Sequence, residues 1–298
     1  MTKLGVIILN YFSSEDSISL YRSIKNFEFN DIICQILVVD NSCNPIEAKA
    51  LESEIIHSDL IISKKNDGYA TGNNRGIKHL LNQAKIDYFL ILNPDVRFDP
   101  SIISKLLIHF EHNKNLAAIG PRIVHRDEPE VIYSDGGMVS LINGILQPSH
   151  KNYRKVIEKC APNSLVDTSY VHGACMMISA RALDEISLIS EEYFLYFEEL
   201  DWCQKAISSG WDIKVDSDCV ASQAISKQNE KYYFYFTRGH IIFNKKFNPL
   251  GWSGMILFYF NNIIHQIKSK DFRRVLAILL GLIVGCFHRP SRHSPLIR

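Results

Sequence analysis

Three groups of acidic residues stand where their chemistry could be used. Asp95 follows a short apolar run, Tyr88-Phe89-Leu90-Ile91-Leu92, within Asn93-Pro94-Asp95. A carboxylate on a loop just after a buried strand suits a hard divalent cation, which takes oxygen ligands and often only one or two carboxylates beside phosphate oxygens. Asp40 ends a second apolar run, Gln35 to Val39, and an ionised carboxylate there could accept the imide N–H of uracil or thymine. Glu198, Glu199 and Asp201 lie among Tyr193, Phe194, Tyr196, Phe197 and Trp202. Partial burial and like-charge neighbours raise a carboxyl toward the range of a useful general base. Base recognition, a cation for a departing diphosphate and a base for an acceptor hydroxyl are the parts that nucleotide-sugar transfer requires. The alternative for Glu198-Glu199-x-Asp201 is a solvated acidic turn opening a helix, where the dipole favours negative charge.

The elements that must hold these residues alternate. Leu4 to Leu9 is a short continuous apolar run, as expected of a strand buried on both faces. Ser13 or Ser14 can cap a helix to about Asn26, and Asn44-Pro45 opens a second with proline at its first position. Leu60-Ile61-Ile62 reads as a third strand, Thr71 or Gly72 starts a helix to about Gln83, and Tyr88 to Leu92 is a fourth strand. Asp99-Pro100 caps a further helix before a strand at Ala117 to Ile119. Such alternation predicts a mostly parallel α/β sheet with right-handed crossovers, whose ligands bind beyond the carboxyl ends of the strands. Those ends carry Asn10-Tyr11, Asp40-Asn41, Asn66-Asp67 and Asn93-Asp95, although turn chemistry also favours Asn, Asp and Gly. Residues 121–170 read as loops with short strands, and Ala174 to Ile178 as another strand.

Composition narrows the classes. The 298 residues are 46% hydrophobic with a net charge of +1, which excludes global disorder and argues against a nucleic-acid binder. Seven scattered cysteines without a C-x-x-C pair argue against a disulfide framework or a structural zinc. Cys175 and Cys203 sit in apolar contexts and read as core. His109 and His112 read as surface. The apolar stretch after Met1 is too short for a signal peptide, which points to a reducing cytoplasm.

In order along the chain, Val6-Ile7-Ile8-Leu9-Asn10-Tyr11, Val38-Val39-Asp40-Asn41-Ser42, Asn66-x-Gly68-Tyr69-Ala70-x-Gly72-Asn73-Asn74-x-Gly76 and Leu92-Asn93-Pro94-Asp95-Val96 resemble the opening blocks of family 2 glycosyltransferases. His172-Gly173-Ala174-Cys175-Met176-Met177, Phe194 to Cys203 and Gly210-Trp211 continue the resemblance, which covers roughly residues 4–250. The nearest subgroup is the rhamnosyltransferase-like enzymes of bacterial surface-polysaccharide assembly. The resemblance implies a GT-A fold and inversion at the anomeric carbon. Asp95 is then the main ligand of Mg2+ or Mn2+, with Asn93 in place of the first aspartate of the family's D-x-D. Asn10, Tyr11, Asp40, Asn66, Gly72, Asn73 and Asn93 surround the nucleotide sugar, and His172, Gly173, Ala174 and Trp202 the acceptor. Glu199 holds the base position, one methylene longer than the usual aspartate, beside Glu198 and with Asp201 in reserve. The family's metal-binding histidine falls at Gln223. The expected reaction is transfer of a sugar, best matched by L-rhamnose from dTDP-rhamnose, to a saccharide acceptor, for O-antigen or capsule-type polysaccharide. A sugar nucleotidyltransferase lacks support, because no Gly-rich basic loop follows the first strand. A non-catalytic sugar-nucleotide-binding partner of other glycosyltransferases is the remaining alternative.

The division expected is a catalytic domain at 1–230, with a nucleotide-binding half at 1–120 and an acceptor and base half at 121–230, then an aromatic and basic helical tail at 231–298. From Gln266 onward seven basic residues face one acid, Asp271. The most apolar segment, Val275 to Phe287, would span roughly 20 Å as a helix against a hydrocarbon core of roughly 30 Å, so it can lie in a membrane interface without crossing. Aromatics mixed with Lys and Arg suit a headgroup region. A peripheral protein on the cytoplasmic face of the inner membrane, taking a polyprenyl-diphosphate-linked acceptor, accounts for such a tail. Ordinary helices closing over the catalytic domain are the alternative.

Overall fold

The computed structural model describes residues 1–160, 165–224 and 228–289. Its strands are β1 (Thr2–Asn10), β2 (Ile32–Asp40), β3 (Leu60–Ile62), β4 (Tyr88–Leu92), β5 (Leu116–His125), β6 (Ile132–Ser134), β7 (Gly137–Ile142), β8 (Ile145–His150), β9 (Leu165–Asp167), β10 (Cys175–Ser179) and β11 (Asp212–Gln223). Its helices are α1 (Ser14–Lys25), α2 (Pro45–Glu52), α3 (Tyr69–Gln83), α4 (Ser101–His112), α5 (Ala180–Ile186), α6 (Glu198–Ser208), α7 (Glu230–Phe247), α8 (Trp252–Lys268) and α9 (Phe272–Phe287).

The main sheet runs β3-β2-β1-β4-β10-β5-β11-β9, with β6 beside β5. Pairings from β3 to β4 are parallel, β10 is antiparallel to both its neighbours, and β11 runs parallel to β5. Successive side chains of a strand point to opposite faces, and this splits the apolar runs between two cores. Ile7, Leu9, Leu37, Val39, Phe89 and Ile91 face one side, packed with Ile77 of α3, Trp202 of α6 and Phe243 of α7. Leu4, Val6, Ile8, Val38, Leu90 and Leu92 face the other, against α1, α2 and α4. Both faces being covered, the strands need no polar alternation. That is why the sequence shows unbroken apolar runs.

Local chemistry sets the boundaries. Asn44 Oδ1 accepts from the backbone N–H of Ile46 at 2.8 Å and opens α2, and Asp99 Oδ1 accepts from Ser101 N at 2.9 Å before α4. Helix α3 begins at Tyr69, earlier than expected, because Gly68 takes φ of 100° and Tyr69 N donates to Phe194 O at 2.8 Å. A Cβ on Gly68 would stand 2.4 Å from that same Phe194 oxygen, so only glycine permits the approach.

Two surface readings are revised. His109 is drawn from solvent by Asp216, whose Oδ2 lies 2.8 Å from its Nε2 across α4 and β11. The aromatic segment at the start of the tail is part of the body: Ile242 and Phe243 of α7 are buried in the first core. Helices α8 and α9 add a smaller cluster, Met255, Tyr259 and Ile278 with Ile145 and Ile241. Among the described residues no helix is long and apolar enough to cross a membrane. Arg292, His293 and Arg298 of the basic tail lie outside the described residues.

Candidate active site

Sheet register brings distant segments to one rim. Asn10 pairs with Asp40 and Ile8 with Leu92, so β1, β2 and β4 end together. Because β10 is antiparallel to β4, its beginning meets the end of β4, and Asn93 N donates to Ala174 O at 2.9 Å. Arg97 bridges to Ser222, which sets Asp95 beside Gln223 at the end of β11. The rim opens into a cavity of about 1060 Å3 lined by Tyr11, Asn66, Asn93, Asp95, His172, Gly173, Ala174, Glu198, Glu199 and Gln223, among others. Ten of the residues singled out from sequence therefore share one space, including Asp95 and Glu199 from segments far apart in the chain.

The other six stand behind the lining, with a local reason in each case. Asn10 is buried in a turn-holding network: its Nδ2 donates to Asp40 Oδ1 at 2.8 Å, and its Oδ1 accepts from Ser17 at 2.9 Å. Asp40 is buried as well; its Oδ1 accepts from Ser42 N at 2.9 Å, while Oδ2 has no hydrogen-bond partner. Gly72 lets α3 approach β1, since a Cβ there would meet Leu9 at 2.4 Å. Asn73 Nδ2 donates back to Tyr69 O at 3.1 Å. Trp202 is a core residue whose indole N–H donates to Ser187 O at 2.8 Å. Asp201 is fully buried, accepts from Tyr193 Oη at 2.8 Å, and is ion-paired with Lys205 at 2.5 Å and with Lys246. A carboxylate committed to two lysines has no access to an acceptor, so Asp201 is corrected from reserve base to a tie between α6 and α7.

The acids at the start of α6 are delivered by an unusual loop. Phe194, Tyr196 and Phe197 all have φ near +70°, in the left-handed region that costs roughly 1–3 kcal/mol each for such side chains. Packing fixes them there: Phe194 stacks on Tyr235 at 4.7 Å and Phe197 on His240 at 5.4 Å. Burial pushes the Glu199 carboxyl up to about 7. Burial and the neighbouring Glu199 push the Glu198 carboxyl well above its usual range, and its Oε2 is buried without a partner. Glu199 faces the His172–Ala174 segment: a Cβ on Gly173 would lie 3.7 Å from its carboxyl carbon, and Tyr69 Oη donates to Gly173 O at 2.6 Å. His172 Nδ1 accepts from Ala174 N at 3.2 Å, and burial lowers the imidazole to about 3, so it is neutral at working pH.

On the opposite wall, burial pushes the Asp95 carboxyl up and the Arg126 guanidinium opposes that shift. Arg126 donates to the Asp95 carbonyl oxygen, and its Nε is buried without a partner. Gln223 Nε2 lies 3.5 Å from Asp95 Oδ1, while Gln223 Oε1 is buried and unpartnered. Among the described residues no three His, Cys, Asp or Glu side chains form a metal-holding group. Asp95, Asn93 and the orphan Gln223 oxygen nevertheless fit a hard cation that takes its other ligands from phosphate and water.

Sequence reasoning missed several lining residues. Arg126 lies one position past β5, and only the sheet order, which places β5 next to β11, could have exposed it. Tyr133 contacts His172 edge-on at 5.2 Å from a segment that read as irregular. Phe234, Tyr235, Arg273, Leu276 and Leu280 bring the tail helices into the cavity wall.

Residues 6–187 match the model of "Glycosyl transferase family 2". The chain belongs to glycosyltransferase family 2. This family 2 enzyme is 27% identical over 307 residues to a low-salt glycan biosynthesis hexosyltransferase, Agl10, of Haloferax volcanii, covering 97% of this chain and 92% of the relative. It is also 27% identical over 194 residues to an N-acetylglucosaminyl-diphospho-decaprenol L-rhamnosyltransferase of Mycobacterium tuberculosis, covering 59% of this chain and 62% of that one. Its fold is similar to the crystal structure of GalNAc-T7 with UDP, GalNAc and Mn2+: the TM-score is 0.59 at 11% identity, over 81% of this chain and 50% of that one. The glycosyltransferase thus has the expected GT-A architecture, a mixed and mostly parallel sheet flanked by helices, and uses a nucleotide sugar.

Proposed function

We propose that this glycosyltransferase moves L-rhamnose from dTDP-rhamnose, with inversion, onto a saccharide carried on a polyprenyl diphosphate at the cytoplasmic face of the membrane. The observation that carries the reading is the shared cavity of Asp95 and Glu199, with Glu199 raised to about 7 by burial. The rhamnosyltransferase and diphospho-decaprenol in the name of the mycobacterial relative favour this sugar and this acceptor class. In the proposed division of labour, residues 1–120 hold the nucleotide, 121–230 hold the acceptor and the base, and in the segment from 231 onward α7 closes over the body while the exposed side of α9 faces the lipid.

Tyr11, Asn41 and Asn66 line the end of the cavity assigned to the nucleoside, with Asp40 supporting the Asn41 and Ser42 turn from behind. Asp95, Asn93 and Gln223 would hold the Mg2+ or Mn2+ ion, which would supply positive charge to offset the negative charge of the departing diphosphate. Arg126 offers its unpartnered Nε to the same phosphates. His172, Gly173 and Ala174 orient the acceptor beside Glu199, and the neutral ring of His172 adds no competing charge. Glu199, ionised above about pH 7, takes the proton of the attacking hydroxyl. Burial and the neighbouring Glu199 raise the Glu198 carboxyl, which disfavours a second negative charge beside the base. Helix α6 is held to α7 by Asp201 while this happens.

A thermal-shift screen of dTDP-, UDP- and GDP-sugars, with and without Mn2+, tests the donor, because a ligand that binds only the folded state raises Tm. The expected result is the largest shift with dTDP-rhamnose plus Mn2+. Radiolabel transfer from that donor to lipid extracts then tests the acceptor. A screen in which no dTDP-sugar shifts Tm, or transfer confined to water-soluble products, would refute the corresponding part.

A further inference from the structure

We infer that the cavity-facing side of α9 is a lane for the prenyl chain of a lipid diphosphate, entering the site from its far end; this rests on the lipid-linked acceptor proposed above. A nucleotide, a sugar and a cation give polar contacts, yet one wall of the cavity is apolar. That wall is Leu276 and Leu280 of α9 with Phe234 of α7. The same helical face continues beyond the cavity. Positions 276, 280, 283, 284 and 287 follow the three- and four-residue spacing of one stripe, and Ile283 and Phe287 are 54% and 83% exposed. From Arg273 to Phe287 the stripe is about 21 Å long.

This face is not waiting for α7, which packs on a different one. Gly281 and Gly285 seat α9 on α7 so closely that a Cβ on Gly281 would come within 2.7 Å of Phe234 O. Lys245 of α7 also reaches the last carbonyls of α9, with Nζ 2.8 Å from Cys286 O. The helix is fixed with its apolar stripe outward.

Charge selects the occupant. Where the stripe enters the cavity stand Arg273 and Lys231. The Arg273 guanidinium is 87% exposed, and its nearest acid, Glu230, is 3.8 Å away. Two accessible cations at the inner end of an apolar track match a diphosphate joined to a hydrocarbon chain. A bilayer surface could cover the exposed outer half, but it cannot follow the stripe inside, whereas a single extended chain can. The diphosphate then sits at Arg273 and Lys231, the attached sugar points toward Glu199, and the first isoprene units run along Leu276 and Leu280 to Phe287.

The test compares undecaprenyl diphosphate with geranyl diphosphate on the full chain in mild detergent, the undecaprenyl probe carrying a diazirine on its third isoprene unit. Ile283→Asp with Phe287→Asp changes only exposed positions outside the cavity. The variant should weaken undecaprenyl diphosphate about tenfold or more, the loss expected for removing two buried apolar contacts, and leave geranyl diphosphate unchanged. Cross-links should fall on α9. Equal affinity of the wild type for both probes, equal loss for both in the variant, or cross-links confined to α8 would overturn the lane but leave the lipid-linked acceptor standing. Failure of both probes to bind would refute both together. Vesicles of phosphatidylcholine and phosphatidylglycerol without prenyl lipid give the last control. A variant that leaves these vesicles while keeping its undecaprenyl affinity would assign the stripe to bilayer adsorption and overturn the lane.

Discussion

Replacing Glu199 by Gln removes one ionisable oxygen and keeps the shape, so it separates base chemistry from packing. Burial moves the Glu199 carboxyl from its ordinary 4.5 to about 7. Each unit corresponds to about 1.4 kcal/mol, so keeping the carboxylate ionised in the folded state costs roughly 3 kcal/mol above neutral pH. The side chain is mostly but not fully enclosed, and cavity water trims the figure to roughly 1–3 kcal/mol. The sign follows from proton counts. Between pH 4.5 and 7 the folded state holds a proton that the unfolded state has lost, so this residue lowers stability as pH rises through that window. Glu199→Gln should therefore match the wild type near pH 4.5, gain on it up to about pH 7, and keep a constant advantage above. Denaturant melts at a series of pH values measure this. In parallel, wild-type kcat/KM should rise with pH through about 7 and then level, whereas the variant should lose about 10^2 to 10^4 of the rate at every pH. Its Kd for the nucleotide sugar should stay unchanged. A variant with full activity, or one whose stability difference does not change with pH, would refute the assignment of Glu199 as a buried base.

Arg126→Ala should weaken nucleoside diphosphate binding about tenfold or more, with Arg126→Lys recovering part of it; calorimetry in EDTA and in Mn2+ measures this, and equal Kd values for wild type and Ala would remove Arg126 from the phosphate site. Asp201→Asn leaves Lys205 and Lys246 buried without their shared acid and should cost about 3–5 kcal/mol in denaturant melts. A loss under 1 kcal/mol would show that the network does not tie α6 to α7. Gly68→Ala must move the Phe194 carbonyl, and hence the loop that carries Glu199. It should lower kcat while nucleotide Kd holds; an unchanged kcat would disconnect that loop from the base. Removal of divalent cation by EDTA should depress transfer and the donor-induced rise in Tm together, and an unaltered Tm rise would exclude a cation from donor binding.

Local sequence was enough for the elements of the first 120 residues. Apolar runs such as Leu4 to Leu9 and Tyr88 to Leu92 are strands because covering both faces leaves no polar position, and Asn44 caps α2 while Asp99 turns the chain into α4, each through a bond spanning two residues. The order of short polar strand ends along the chain was enough to expect one rim, since parallel strands necessarily end on the same side. The resemblance to family 2 motifs, not the strand ends, put Glu199 and Gln223 beside Asp95 among the residues of interest. What local pattern could not decide was which polar residue faces the rim and which holds it up. Asn10, Asp40 and Asp201 have the same chemistry as their lining neighbours, and only the partners brought by other elements commit them: Ser17 and Ser42, or Lys205 and Lys246. Arg126 joins Asp95 because β5 lies next to β11, a pairing between strands nearly a hundred residues apart. The tail posed the same problem, as Leu276 and Leu280 read as generic membrane-facing apolar residues until α7 and two glycines fixed which side of α9 meets the cavity. Sequence determined the parts and their order, because secondary structure and capping are short-range. The tertiary fold decided the roles, because burial, charge pairing and convergence depend on contacts between segments far apart in the chain.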